Sequence, residues 1–344
     1  MPRLQEKSAM NTDVPDDRAI DAIGNGELAI VIRKNHGRYH VQTRGREIPC
    51  ALSSRLRKTF SYTTSDRGGK PAVVQGVKEI RGADPVVVGD EVRLVDAGDG
   101  TGMIVEVLPR RTRLSRTAPG RGAFEQVLVA NANQVVPVFA AAQPAPKWGL
   151  LDRYLVAAEA AGLAAIVCIT KTDLARPGDG LDRATAGYRG IGYPVLTVSA
   201  VTGEGLEPVR EALRGRVSVL AGKSGVGKTS LLNALQPGLG LRVAAVGRNS
   251  KGRHTTTNPE MFPLDDGGFV VDTPGVREFG LLGIPEEDLA MHFPEMRALV
   301  GTCRFRLDCR HDEEPGCAVR RAVMDGAISP GRYRSYRRLA EDLR

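Results

Sequence analysis

Between Glu27 and about Ser115, short apolar runs alternate with polar positions: ELAIVIRK, RYHVQTRG, REIPCALSS, AVVQGVKEI, DEVRLVDAG and GMIVEVLPR. Their β-branched content, and the Gly, Asn and Asp residues that break them, mark each run as a strand. Short strands in series with no helix between them predict a small barrel. The pattern then changes. Fully apolar runs (QVVPVFAAA, AAIVCIT, PVLTVSA, RVSVLAG and GGFVVDT) are separated by helical stretches such as LLDRYLVAAEAAG. That alternation predicts a largely parallel sheet covered on both faces. After about Leu281 only short helical pieces remain, around Pro294 and Ala318, before a basic last helix from Tyr333 onward. The first 25 residues have no period and read as a flexible tail. The predicted division is a tail (1–25), a barrel (26–115), an α/β domain (116–282) and a C-terminal domain (283–344).

Of 344 residues, 42% are apolar and 26% charged, which excludes a disordered chain and supports more than one core. The net charge of +8 favours a polyanionic partner, since Lys and Arg release counterions from a phosphate backbone. No apolar run follows the basic residues of MPRLQEKSAM, and none is long enough to span a bilayer, so a cytoplasmic protein without membrane contact is expected.

Gly222-Lys223-Ser224-Gly225-Val226-Gly227-Lys228-Thr229 fits G-x-x-x-x-G-K-[ST] and lies between the strand RVSVLA and the helical SLLNAL, beginning at Ser230. Glycines let successive backbone N–H groups converge on a phosphate in front of a helix N-terminus. Lys228 is expected on the β- and γ-phosphates, and Thr229 on Mg²⁺. Asp272-Thr273-Pro274-Gly275 ends the strand GGFVVDT, which places a carboxylate for Mg²⁺ and the Gly275 N–H near the γ-phosphate. Gly252-Arg253-His254-Thr255-Thr256-Thr257 suits a mobile switch, with Thr256 or Thr257 closing on Mg²⁺.

Thr170-Lys171-Thr172-Asp173 follows AAIVCI and resembles the guanine-reading N/T-K-x-D motif. The Asp173 carboxylate accepts from guanine N1–H and its exocyclic amine, whereas adenine presents a lone pair there. Lys171 lays its stem over the base. Thr170 stands where Asn is commoner, so one amide contact is lost and weaker affinity is expected. Ser199-Ala200, after PVLTV, fits the loop whose N–H groups meet guanine O6. In ordinary small GTPases the phosphate loop comes first; here the base-reading motifs precede it, a circular permutation. Beyond Gly275 the chain runs directly into the C-terminal domain, so loss of γ-phosphate is expected to move that domain.

Cys303-x₅-Cys309-x-His311-x₅-Cys317 offers three thiolates and an imidazole, a closed tetrahedral set for one structural Zn²⁺ in a segment too polar to build its own core.

On these residues the chain resembles the ribosome small subunit-dependent GTPase A (RsgA) family. The resemblance covers about Glu27 to the C-terminus and implies an OB-fold barrel that binds RNA, a permuted P-loop GTPase domain and a mostly helical zinc domain. It also implies GTP and GDP as ligands, binding to the 30S subunit and its 16S rRNA, late subunit maturation, and hydrolysis stimulated by the subunit. A monomer that does not bind DNA is expected. The chain departs from the family pattern at Thr170 and in the five residues, rather than four, between Cys303 and Cys309.

Val276 stands where Ras-like proteins carry a water-orienting Gln, so slow unaided hydrolysis is expected, with His254 as the candidate to place the water. Expected RNA contacts are Arg55, Arg57 and Lys58 near Phe60 and Tyr62; Arg110, Arg111, Arg113 and Arg116; and Arg332, Arg334, Arg337 and Arg338 with Tyr333 and Tyr336. Two competing readings are a P-loop ATP-dependent kinase, which has no need of Asp173, and a non-catalytic RNA-binding scaffold.

Overall fold

A computed structural model of the chain describes residues 26–35, 37–62, 74–79, 85–117, 125–239, 259–273, 281 and 283–344. The alternating segment forms β1 (Glu27–Asn35), β2 (Arg38–Thr43), β3 (Arg46–Leu52), β4 (Lys58–Tyr62), β5 (Val74–Glu79), β6 (Glu91–Asp96) and β7 (Gly102–Val107). Five of these close a barrel in the order β1-β2-β3-β7-β6, because β6 also pairs with β1. The β3–β7 pairing is parallel while the others are antiparallel, and β4–β5 is a separate hairpin between them. Inward positions Val31, Val41, Ile48, Val92, Leu94 and Ile104 fill the barrel. A second hairpin, β8 (Arg113–Thr117) with β9 (Glu125–Ala130), carries the chain out of it.

The α/β domain follows as β10 (Gln134–Ala140), α1 (Trp148–Ala160), β11 (Ala164–Ala165), β12 (Val167–Thr170), α2 (Leu181–Gly190), β13 (Val195–Thr197), α3 (Leu206–Leu213), β14 (Val217–Ala221), α4 (Lys228–Leu235), β15 (Glu260–Pro263) and β16 (Phe269–Asp272). Its sheet order is β13-β12-β10-β14-β16-β15, parallel except for the edge strand β15. β10 is buried along its whole length, as a strand covered on both faces must be. One core packs α1 against the sheet through Leu151, Tyr154 and Leu155; the core on the other face takes Leu231 and Leu232 of α4. The permutation therefore leaves a doubly wound sheet intact, with the phosphate-loop strand β14 in its interior.

The C-terminal region is helical: α5 (Pro294–Arg297), α6 (Ala318–Met324) and α7 (Pro330–Leu343), with short 3₁₀ turns. Its core joins Phe293, Met296, Tyr336 and Leu339 to Val156 of α1. The α1–α7 joint also holds Arg332, 6% exposed, which donates to Asp152 at 2.7 Å and to Glu295 at 2.7 and 3.2 Å. Burial opposes the charge on Arg332, but Asp152 and Glu295 outweigh it and raise its pKa. The barrel meets the α/β domain through Ile32 and Val88, which are buried in its core, and through the Ala130 N–H, which donates to Val88 O at 2.9 Å. β1 pairs with β15 at one position, Arg33 with Glu260, and Arg33 bridges Glu47 and Glu260 at 2.6 and 3.2 Å. No described helix is long and apolar enough to cross a membrane.

Candidate functional site

β14 delivers the chain to the loop 222–227, and α4 begins at Lys228 with Gly227 in the left-handed region (φ 96°) as its N-cap. A side chain at Gly222 would place Cβ 2.4 Å from the Val138 carbonyl oxygen, so only glycine lets the loop pass β10 this closely. Val226 anchors the loop in the core, while Lys223 and Ser224 are exposed and Thr229 and Ser230 are half-buried in the first turn of α4. Lys228 Nζ donates to the Gly222 carbonyl at 2.7 Å and so folds back over the loop. Asp272 lies at the end of β16, paired with Leu220 of β14. Burial lowers the Lys228 pKa and raises that of Asp272, and each charge partly offsets the shift of the other. Asp272 Oδ1 is buried without a hydrogen-bond partner among the described residues. An orphaned anionic oxygen beside a lysine and a helix N-terminus fits a bound divalent cation with phosphates.

The segment Thr170 to Asp173 reaches this loop directly. Thr170, buried at the end of β12, donates its hydroxyl to the Val226 carbonyl at 2.5 Å, with a longer contact of 3.2 Å to Phe139 O. Lys171, in the left-handed region (φ 55°), stretches its ammonium to Gly225 O at 2.7 Å and Gln143 O at 2.5 Å. Asp173 accepts from the Ser199 hydroxyl at 2.6 Å, and that oxygen in turn receives the N–H groups of Val201 at 3.3 Å and Thr202 at 3.2 Å. Ser199 is fully buried, so it fixes one Asp173 oxygen while the rest of the carboxylate stays exposed. Thr172 opens the 3₁₀ turn that presents Asp173, and Ala200 follows Ser199 on the facing loop. Segments more than fifty residues apart in the chain thus meet at one edge of the sheet, where α/β folds bind ligands.

Thr170 was expected to leave a contact unmade, yet its hydroxyl makes the tie to the phosphate loop. The part played by the Gln143 carbonyl is new; nothing in the sequence marks a backbone acceptor. Gly275, Val276 and the segment Gly252 to Thr257, including His254, Thr256 and Thr257, lie outside the described residues.

The second cluster is the cysteine-bearing loop. The ligand atoms of Cys303, Cys309, His311 and Cys317 all lie within 4.8 Å of one another, and all four residues are buried. His311 Nδ1 is 3.4 Å from Cys303 Sγ and 3.5 Å from Cys317 Sγ, and these two sulfurs are 4.0 Å apart. Tetrahedral zinc with sulfur ligands sets such separations at about 3.8 Å, so the four residues fit the ion. Backbone N–H groups of Ala318 and Arg320 point at Cys303 and Cys317 Sγ, as thiolates require. Burial pushes the Cys309 thiol up to about 12, raises Cys317 and lowers His311, which a bound cation would reverse for the thiols.

Several arginines expected at RNA are engaged elsewhere. Arg332 is buried in the α1–α7 joint, and Tyr336, also buried, donates to Arg310 O at 2.8 Å. Tyr333 donates to His311 O at 2.7 Å, so both tyrosines brace the cysteine loop. Arg110 is held by fully buried Asp90, Arg111 by Glu91, Arg113 by Glu125 and Arg337 by Asp312. Arg116 donates to Gln126. Arg55, Arg334 and Arg338 are exposed; the side chains of Arg57, Lys58, Phe60 and Tyr62 lie outside the described part.

The RsgA GTPase family profile matches residues 107–282. A relative from Gemmatimonas aurantiaca, named small ribosomal subunit biogenesis GTPase RsgA, is 50% identical over 268 residues, covering 77% of this chain and 87% of the relative. The crystal structure of YjeQ from Thermotoga maritima superposes with a TM-score of 0.71 at 31% identity, covering 92% of this chain and 98% of that one. The crystal structure of YloQ, described as a circularly permuted GTPase, gives a TM-score of 0.66 at 30% identity, covering 93% and 96%. With the permuted motifs converging on one sheet edge, the chain belongs to the RsgA family of GTPases.

Proposed function

We propose that this GTPase hydrolyses GTP while bound to the 30S ribosomal subunit, contacting 16S rRNA, and acts in late maturation of that subunit as a cytoplasmic monomer that does not bind DNA. The observation that carries guanine recognition is Asp173, held by Ser199 beside a phosphate loop to which Thr170 and Lys171 are tied. An ATP-dependent kinase has no use for that carboxylate. The ribosomal assignment rests on the name borne by the relative from Gemmatimonas aurantiaca.

In this reading Gly222 to Ser230 surround the phosphates, Lys228 neutralises the β- and γ-oxygens, and the Ala200 N–H faces guanine O6; the Ser199 N–H, expected there too, is instead donated to Glu204 O at 2.9 Å. Thr229 and the orphaned Asp272 oxygen hold Mg²⁺, which when bound neutralises charge developing on the phosphate oxygens. Gly275 reaches the γ-phosphate, and Thr256 or Thr257 closes the first switch. Val276 cannot orient water, so His254 does so, ordered by contact with the subunit. Cys303, Cys309, His311 and Cys317 hold one structural zinc. The domain limits 1–25, 26–115, 116–282 and 283–344 belong to the same proposal, as does movement of the zinc domain on hydrolysis.

The test is GTP turnover by the full chain with and without purified 30S subunits, paired with competition of GDP against ADP. Stimulated turnover and strong GDP preference are expected. Equal turnover in both conditions would leave the scaffold reading, and equal affinity for ADP would remove the role of Asp173.

A further inference from the structure

A groove of about 700 Å³ runs between α1, α2 and α7, on the side of the α/β domain where the C-terminal helix docks. Trp148, the chain's single tryptophan, and Tyr188 form one wall, with ring centroids 5.8 Å apart. Ala184 and Gly187 of α2 line it too, and a side chain added at Gly187 would meet nothing within 4 Å. Three exposed arginines, Arg183, Arg334 and Arg338, stand on its rim, and none has a carboxylate partner among the described residues. That sets them apart from the paired arginines described above. The two acids of the lining, Asp152 and Glu295, both bind Arg332; that trio carries one net negative charge, which the three rim arginines outweigh.

We propose that this groove docks RNA by taking up an unpaired nucleotide, its base against Trp148, which Tyr188 backs from the core, and its phosphates on Arg183, Arg334 and Arg338. The proposal rests on the ribosomal reading only in taking RNA as the partner. A flat aromatic and small-residue slot beside planar guanidinium forks suits a group that is apolar and flat at one end and anionic at the other. The volume suits one nucleotide. An acidic peptide fits less well. The walls are helices whose interior backbone groups are already paired, so an extended peptide would find few hydrogen-bond partners there.

Trp148 supplies the readout. Full-length protein saturated with GDP and Mg²⁺, so that the nucleotide site is filled, is titrated with a short single-stranded oligoribonucleotide while tryptophan fluorescence is followed. Saturable quenching is expected, with an affinity that falls with salt at a log–log slope of about −2, the value for three phosphate contacts on a single strand. Arg183→Gln, Arg334→Gln and Arg338→Gln together should remove that slope. Gly187→Leu fills the slot without altering charge and should weaken binding by about tenfold or more, the worth of one stacked base. Unchanged far-ultraviolet circular dichroism and unchanged GDP affinity show that each variant is folded. Absence of quenching, quenching untouched by both sets of variants, or equal quenching by polyglutamate would overturn the proposal. Stimulation of GTP turnover by 30S subunits is measured in parallel. Stimulation without quenching removes the groove and leaves the function standing; quenching without stimulation does the reverse.

Discussion

The hydroxyl of Thr170, buried at the end of β12, donates to the Val226 carbonyl and so ties residues 170–173 to the loop 222–227. Thr170→Val keeps the shape and removes the donor, leaving a buried carbonyl unpaired at a cost of about 1–3 kcal/mol. GDP affinity, measured by calorimetry, should therefore fall by about tenfold or more, and unchanged affinity would show that the tie is incidental. Ser199→Ala acts one step further from the base. It frees the Asp173 carboxylate to rotate and should cost GDP binding about 1.5–3 kcal/mol, since the lost hydrogen bond is to a charged group. Asp173→Ala should go further and erase most of the discrimination between GDP and ADP, about 10⁴-fold where a site reads such groups. An order in which Ser199→Ala exceeds Asp173→Ala would contradict the geometry.

At the level of elements, the cysteine loop and α7 support each other. The loop supplies four ligands but little apolar surface of its own; α7 sends Tyr333 and Tyr336 to the carbonyls of His311 and Arg310. Chelation of zinc should loosen the loop first and then the first half of α7, seen as faster amide exchange at residues 303–317 and 330–336 while β14 and α1 remain protected. Loss of protection across the α/β sheet would mean that the metal holds more than this domain. The element types were legible in the chain because period and spacing carry them: the apolar runs became β10, β12, β13, β14 and β16, five of the six alternating ones became the barrel while AVVQGVKEI became β5 of a separate hairpin, and Cys303 to Cys317 converged as their spacing required. Charge runs were not legible in the same way. Arg332, Arg334, Arg337 and Arg338 read alike in sequence, but position on α7 decides their fate. Arg332 faces Asp152, a residue 180 positions away, half-exposed Arg337 faces Asp312, and Arg334 and Arg338 are exposed with no carboxylate partner among the described residues. No local pattern encodes a distant carboxylate. The same holds for Thr170, whose partner Val226 lies across the permuted chain.

For the whole molecule, both flanking domains share apolar core with the α/β domain, and their joints differ in the charge they bury. The barrel is tied by Ile32 and Val88, buried in the α/β core, by one β1–β15 pair, by the bond from Ala130 N–H to Val88 O at 2.9 Å, and by Arg33, about a third exposed, with Glu260. Ion pairs with that much solvent contribute about 0–1 kcal/mol. The C-terminal domain is tied by a shared apolar core and by Arg332 buried between Asp152 and Glu295, where removing one partner strands charge away from water at a cost of about 3–5 kcal/mol. The proposed movement of the C-terminal domain on hydrolysis would therefore either carry α1 with it or break this cluster. Denaturant titration of GDP-bound protein, followed by Trp148 fluorescence, should show Arg332→Ala destabilising the α1–α7 joint by about 3–5 kcal/mol, and Arg33→Ala changing it by less than about 1 kcal/mol. Converting all three members, Arg332→Met with Asp152→Asn and Glu295→Gln, removes the stranded charge and should recover part of the loss. If Arg332→Ala unfolds no earlier than the native chain, the cluster is not what fixes the domain, and the zinc domain is free to swing on its apolar contacts alone.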